Sequence, residues 1–533
     1  MLRRLVGSEM CIRDRKLLLS MLLSFVFFNV NALELNKISG YSTFSWDEGG
    51  SEILAYDSQR NRIFVTNNLT KSVDVLDITR LPYTEKLISI KPRAGVGGIN
   101  SVAVSEQAGL LALAIEAEDK QDNGAVLFYN LNTLKLAFGY SVGALPDNVV
   151  FTPDGKYALV ANEGEPNDDY TVDPKGSVSI IDLNKWFVGP SEDKIRNINF
   201  YYNGAPEGGR IVKPGSSFLY DAEPEFIAVS GDSKRAYVAL QENNVIAKID
   251  ISSGIVTDYF GLGYKDWSQS ALDASNKDNR VNIQPWPVKG MYQPDTMVVV
   301  SKEINGEMYD YVLMANEGDA KDYDGFSEEV RVADLTLDPS VFPNASELQK
   351  KSNLGRLKTT TTMGDADGDG FYEEIYTYGG RSFSILDGNT GQIIYDSGND
   401  IAVRTAFSGF FNWNEDAGSF DDRSDDKGAE PEALTVGEID GRTIAFVGLE
   451  RQGGIMMYDI TGMVKPKFLG YFNGRNFFGD GTKQTGGDIS PESLVFIPAD
   501  KTPPLYHVRK GTPLLIGAYE LSGSTAIYEV IID

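Results

Sequence analysis

The sequence predicts an all-β chain folded as a single large β-propeller, with eight blades by the count of repeats, seven as the other possibility, and long loop insertions between strands. Three observations predict it. Short apolar segments alternate with turn residues, no long stretch carries helical periodicity, and a loose unit recurs along the chain. The unit is an apolar strand, a tight turn, a second strand ending in a small residue, a polar loop, and a strand that closes on Asp or a similar polar residue.

In chain order, Leu33–Phe44 reads as a strand that pairs with the last blade and closes the ring. The first copy opens at Ser51 (SEILAYDSQRNRIFVTNN) and runs into VDVLDI after Ser72; the second opens at Ile99 and reaches VLFYNL after Ala125. The clearest copy is NVVFTPDGKYALVANEGE from Asn148, followed by SVSIIDL after Gly176. Its turn Pro153-Asp154-Gly155 has a physical reason: Pro presets φ and Gly accepts positive φ. Further copies open at Glu223, Gln293, Arg356 (a variant), Glu430 and Ser490, which makes eight units. Radial repetition of small antiparallel sheets is how a propeller protects its strand edges. The spacing exceeds the ~40–45 residues of a compact blade, and the excess falls in 185–222, 254–292, 336–355 and 398–429. Two propellers or a sandwich is the alternative arrangement.

Composition excludes several kinds of chemistry. The 533 residues include 76 Asp+Glu against 49 Lys+Arg, a net charge of −27, with one His and one Cys. Nucleic acids and anionic membranes need a basic footprint that this chain lacks. Zinc, iron or copper sites built from His and Cys need more such ligands than the single His and single Cys present. A Ser-His-Asp hydrolase would have to use His507, with a partnered Ser and Asp. Metal chemistry here must use oxygen ligands, which favours calcium, with magnesium or manganese as alternatives.

Residues 1–32 form a leader and 33–533 the propeller. KLLLSMLLSFVFFNV from Lys16 has a basic start, then an apolar run too short to span a bilayer; a small residue, Ala32, precedes the cleavage point of a secretory signal. MLRRLVGSEMCIRDR before it fits no targeting logic and resembles translated adapter sequence, so the natural start is expected near Lys16. Removing residues 1–32 takes away five basic and two acidic residues, leaving −30, and removes Cys11 as well. The exported protein, periplasmic or extracellular, then has no disulfide. No later run is long and apolar enough for a membrane helix.

Aligning the units makes two acidic positions repeat. One follows the second strand: Glu116, Glu163, Glu317, Glu450 and Glu520, with Gln241 and Asn67 in the same slot. The other opens the first strand, often after Pro: Glu52, Asp147, Glu225, Asp295, Glu432 and Glu492, with Asn100 in the slot. The end of strand two lies beside the start of strand one in an antiparallel pair. Both rows therefore belong on one face, near the central channel if strand one is innermost. Clustered carboxylates repel unless cations neutralise them. The plain alternative is a solvated rim of turn caps. Asp168, Asp169, Asp319 and Asp322 are further ligand candidates. Arg381 and Arg451 are placed to hold a phosphate or carboxylate by paired hydrogen bonds, or to bridge to the acidic rim.

The sharpest local motif is DADGDGFYEE from Asp365. Asp365, Asp367 and Asp369 alternate before Gly, as in a calcium-wrapping loop, with Glu373 or Glu374 closing it; Tyr376 occupies the position where an EF-hand places Glu. Read as a turn between strands one and two, it falls on the face opposite the rim and staples a blade. The acidic run from Asn412 to Asp426 reads as a flexible, solvated insertion.

PDGKYALVANEGEPNDDYTVDPKGSVSIIDL, with ANEGD, GDADGDG, GGRSFSILD, EPEAL and GLERQGG, resembles the choice-of-anchor I family over about residues 40–533. The resemblance implies an exported β-propeller related to mesenchyme-specific cell-surface glycoproteins, in a family where some members are labelled alkaline phosphatases. It implies no catalytic mechanism. Many members carry a carboxy-terminal sorting anchor, and none is seen here. Two functions compete: a calcium-binding surface-interaction module for phosphate, mineral, polysaccharide or a basic surface, and a metal-dependent phosphoesterase. In the second, Glu163, Glu317 and Glu450 hold Ca²⁺ or Mg²⁺, the metal polarises phosphate and activates water, and Arg381 or Arg451 stabilises charge.

Overall fold

A computed structural model describes residues 32–532 apart from 94–95, 185, 187–193, 415–417 and 504–510. The leader and His507 lie outside the described residues.

The second and third strands of the repeats are near-continuous apolar runs. RIFVTN, LLALAI and LLIGAY are buried along their whole length. A strand reads this way when both faces of its sheet are covered. The fourth strands alternate instead; Tyr83–Ile90 turns half its residues to solvent. That gradient sets the order inside each sheet, from a channel-lining first strand to an exposed fourth.

Among the described residues the strands form seven four-stranded antiparallel sheets. Blades one to six begin with the strands Leu54–Asp57, Ile99–Ser105, Pro146–Phe151, Pro224–Val229, Met297–Ile304 and Pro431–Ile439. Blade seven begins with Pro491–Ile497, and Leu33–Ser42 supplies its outermost strand, paired with Ser524–Ile532 from Leu33↔Ile532 to Ser42↔Ser524. First strands touch first strands all the way round, blade seven back to blade one included. Seven apolar clusters each span two neighbouring sheets, such as Leu54, Ile63 and Val65 of blade one against Ile516, Ala518 and Ile527 of blade seven. Burying each sheet's two faces against its neighbours is what makes the ring one body.

The unit from Arg356 does not form a sheet of its own. Its strand Ser382–Asp387 is the third strand of blade five, paired with Glu307–Asn316. The rest belongs to an insertion between them, 317–381. It leaves and returns through a narrow neck: a Cβ on Gly379 would stand 2.0 Å from the Glu317 carbonyl oxygen, and one on Gly318 2.2 Å from the Gly379 nitrogen. The insertion packs Val332, Leu354, Leu357 and Ile375 onto Trp267, Leu272 and Val288 of the connection before blade five. Arg210, in the connection before blade four, clamps it further through a buried two-pronged pair with Glu328.

All these excursions share one face. In each sheet strands one and three start, and strands two and four end, on the side where the carboxylates were expected. Connections 200–223, 262–296, 317–381 and 397–430 leave from there and wall the channel mouth. The Asp365 loop, inside 317–381, therefore stands on the rim side; the expected position between strands one and two is corrected. The Asn412–Asp426 run is corrected too. Asp421, Ser424, Asp425 and Asp426 are buried, and Asp425 pairs with Arg331 at 3.1 Å and Arg356 at 2.6 Å.

Candidate functional site

A backbone device repeats at the channel mouth. In blades two, three, four, six and seven the pairing of strand one with strand two slips at the start of strand one, between Ile99/Ser101, Pro146/Asn148, Pro224/Ile227, Pro431/Leu434 and Pro491/Ser493. The skipped residues include Asn100, Asp147, Glu225, Glu432 and Glu492. A bulge leaves its extra residue unpaired and re-aims the side chain, so these residues form an inner row. Opposite, backbone bonds fix an outer row in register: Glu163 N–H donates to Leu145 O (2.8 Å), Glu450 to Glu430 O (2.7 Å) and Glu520 to Ser490 O (2.9 Å).

The outer row is held from below as well. Asn162 and Asn316, both fully buried at the end of strand two, donate through Nδ2 to Ser177 and Ser179, and to Ser382 and Ser384, on strand three. Asn67 occupies this bracing position in blade one, donating to Asp74 Oδ2 at 3.1 Å. The outer-row residue there is consequently Asn68, a one-residue correction.

The rows converge on a cavity of 770 Å³ in the central channel. Glu52, Glu116, Asp147, Glu163, Glu225, Asp295, Glu317, Glu492 and Glu520 line its mouth, with Asp319 and Glu165 from the loops; Leu54, Val102, Val149, Phe151 and Val495 line the wall below. Glu432 and Glu450 are buried beside them, 7% and 6% exposed. Burial, followed by the Glu520 carboxylate, pushes Glu52 up to about 8. Burial and then Glu317 push Asp295 up to about 8. Burial likewise takes Asp147 and Asp319 up to about 7. Glu163, Glu225, Glu432, Glu450 and Glu492 are raised well above the carboxylate range, by burial first and by neighbouring carboxylates second.

Basic groups compensate part of this charge, and sequence reasoning missed the most important of them. Lys427 stands 2.5 Å from Glu317, 3.6 Å from Glu430 and 3.8 Å from Asp319. Lys321, fully buried, lies 2.5 Å from Glu223. Arg423 and Lys427 overcome the effect of burial on Glu430 and hold it below its ordinary value. The signal for Glu223 and Glu430 was present as the repeated Glu-Pro-Glu before strand one of blades four and six. Nothing in the sequence marks the two lysines, which arrive from insertions.

Other expected residues fall elsewhere. The Arg381 guanidinium, 5% exposed, donates to the carbonyls of Asp273, Ser424 and Asp426, tying the 397–430 insertion down away from the channel. Arg451 joins the rim as an ion-pair partner, 3.0 Å from Glu450 and 3.4 Å from Glu430. Asp169 caps its own turn on Thr171, Asp168 gives its carbonyl to Gly325, and Asp322 is exposed. In the Asp365 loop, oxygens of Asp365, Asp367 and Asp369 lie within 4.8 Å of one another. Glu373 reaches back to the Ala366 N–H at 2.9 Å and closes that loop, whereas Glu374 turns away to Lys289 and Tyr376.

Hard oxygen donors in a closed ring, one of them (Glu432 Oε2) buried with no hydrogen-bond partner, fit a divalent cation. Fold and site together define a β-propeller with an acidic channel mouth. The choice-of-anchor I domain matches over residues 52–463, and the chain belongs to that family. It is 31% identical over 196 residues to Gigasin-3a of Magallana gigas, covering 34% of this chain and 66% of that protein. It is 25% identical over 327 residues to a mesenchyme-specific cell surface glycoprotein of Strongylocentrotus purpuratus, covering 53% and 40%. This chain thus spans less than two thirds of either relative's length. Among solved structures it is similar to a Kuenenia stuttgartiensis hydrazine synthase chain (12% identity, TM-score 0.47, 92% of this chain and 98% of that one). It is also similar to the WD40 domain of Toxoplasma gondii coronin (8% identity, TM-score 0.47, 94% and 87%). Family and fold fit a surface or extracellular module. Among the described residues no helix is long and apolar enough to cross a membrane.

Proposed function

We propose that this chain is an exported, calcium-binding interaction module, whose channel mouth takes hard divalent cations and through them an anionic surface such as phosphate, mineral or polysaccharide. One observation carries the reading: carboxylates from six of the seven blades line one cavity mouth, those of the sixth blade lie buried beside it, and the nearby basic groups neutralise only part of them. Calcium suits a many-oxygen site of this size, with magnesium and manganese as the other hard ions. The Asp365 loop is a second, separate calcium site on the same face. The segment Lys16–Ala32 and the family support the export part of the reading.

The experiment is equilibrium dialysis of Ca²⁺, Mg²⁺ and Mn²⁺ against an Asp367→Asn variant, in which the loop site is crippled. Retention of a divalent ion there supports the channel site; no retention of any of the three removes the proposal. An aryl-phosphate assay on the same samples addresses the competing reading. Turnover that appears with a divalent ion and vanishes with chelator would replace the binding module by a phosphoesterase, with Glu163, Glu317 and Glu450 as the first residues to neutralise. Arg381 would not be among them, because its donors are committed to backbone carbonyls.

A further inference from the structure

Glu317, Glu430 and Glu450 are the rim carboxylates whose oxygens come within 4.8 Å of one another, and by distance alone they are the obvious metal ligands. Their charge is already answered. Lys427 sits on Glu317 and Glu430, Arg451 on Glu450 and Glu430, and Arg423 reaches Glu430 at 2.6 Å. Three carboxylates face three fixed cations, and an entering ion would have to displace a buried ammonium from a charge-assisted pair.

The inner row is different. Glu432 is 7% exposed, and its Oε2 is shut off from solvent with no hydrogen-bond donor. A buried charge without a partner is strongly destabilising, so such a group must find a counter-ion or a proton. The charges acting most strongly on Glu432 are Glu492, Glu450, Asp295 and Glu317, all acidic. Those acting on Glu492 are Glu520, Asp295, Glu450 and Glu52, again all acidic. Asp295, Glu432 and Glu492 hold the same position in consecutive blades five, six and seven, so they are neighbours round the ring. The bulges at Pro431/Leu434 and Pro491/Ser493 take the last two out of the ladder; Glu492 lines the channel cavity and Glu432 is buried beside it.

We infer that the channel cation is held on the inner row by Glu432 together with Asp295 and Glu492, and not by the closer-set Glu317–Glu430–Glu450 group. This rests on the cation-binding reading above and specifies where in the ring it applies. Lys427 then acts as an internal counter-ion that keeps the outer group closed to metal and directs the ion inward.

The test is Ca²⁺ and Mn²⁺ dialysis on the full chain in the Asp367→Asn background, comparing added Glu432→Gln with added Glu317→Gln. Glu432→Gln is expected to weaken retention about tenfold or more, the scale on which a site responds to loss of a ligand or its support. Glu317→Gln should weaken retention clearly less than Glu432→Gln does, since it removes a partner of Lys427 and a neighbouring charge but not a ligand. If Glu432→Gln does not fold, Glu492→Gln carries the same expectation. Weakening by Glu317→Gln with retention in Glu432→Gln overturns the inference and leaves the channel reading standing. Retention by both variants does the same. No retention by the parent removes both.

Discussion

Asn162 shows how a single residue can serve position and not chemistry. Its buried Nδ2 ties the end of strand two to Ser177 and Ser179 on strand three, one residue before Glu163 enters the channel. Asn162→Ala should therefore destabilise the fold by about 1–3 kcal/mol, the cost of leaving buried hydroxyls and carbonyls without a donor. Denaturant unfolding checks this, and a loss below about 0.5 kcal/mol would mean the brace is decorative. The rows of carboxylates were legible because Pro-[Asp/Glu] before strand one and an acid after strand two recur at matching places in the repeated unit. The Asn brace was misread in blade one, where Asn67 and Asn68 are adjacent and only the pairing Asn67↔Ser72 decides which residue enters the channel. Lys321 and Lys427 were illegible for another reason. Their closest partners, Glu223 and Glu317, are distant in sequence, and no local spacing encodes a contact delivered by a long insertion.

Elements rather than residues decided the blade count. The turn chemistry and apolar alternation of each strand were readable, but the unit from Arg356 mixes a true third strand with a walled insertion, and only long-range pairing separates them. The closing strand was readable from its position and alternation. Leu33 and Leu35 bury 2% and 6% exposed side chains against blades six and seven. Leu35→Ala should cost about 2–5 kcal/mol, the range for a large apolar truncation in a packed core. Its melting point is expected to fall well below that of Glu34→Ala, an exposed neighbour on the same strand. Equal melting points would show that this strand does not close the ring. The Asp365 loop makes a prediction of its own kind. Its carboxylates cap N–H groups of Gly368, Asp369, Gly370 and Phe371, which shapes the loop before any ion arrives. Calcium is expected to slow proteolysis around residues 361–376 in the parent and to leave Asp367→Asn unaffected. Equal protection of both would place the stabilising ion elsewhere.

Across the whole molecule the charge is unevenly answered, and this sets how stability depends on pH. Glu52 and Asp295 titrate near 8, and Asp147 and Asp319 near 7, in the folded protein. Unfolded, each returns to the ordinary carboxylate range of about 3.9–4.3. Between those limits the folded chain holds more protons than the unfolded chain, so stability falls as pH rises. The contribution is whole below about pH 4 and is lost on passing through about 7 to 8. A divalent cation at the proposed inner-row site would supply the positive charge that the departing protons took with them, and its stabilisation would grow over the same interval. In the Asp367→Asn background, which removes the loop's share, the melting point in chelator should drop steadily from about pH 5 to about pH 8. With millimolar calcium the drop should flatten, so that the gap between the two curves is small at the acid end and widest at the alkaline end. Ligand linkage requires that shape whenever ions and protons compete for the same carboxylates. Two curves running parallel across the interval would mean that calcium binds somewhere other than the groups that lose their protons, and the acidic channel mouth would then be a source of strain with no cation to relieve it.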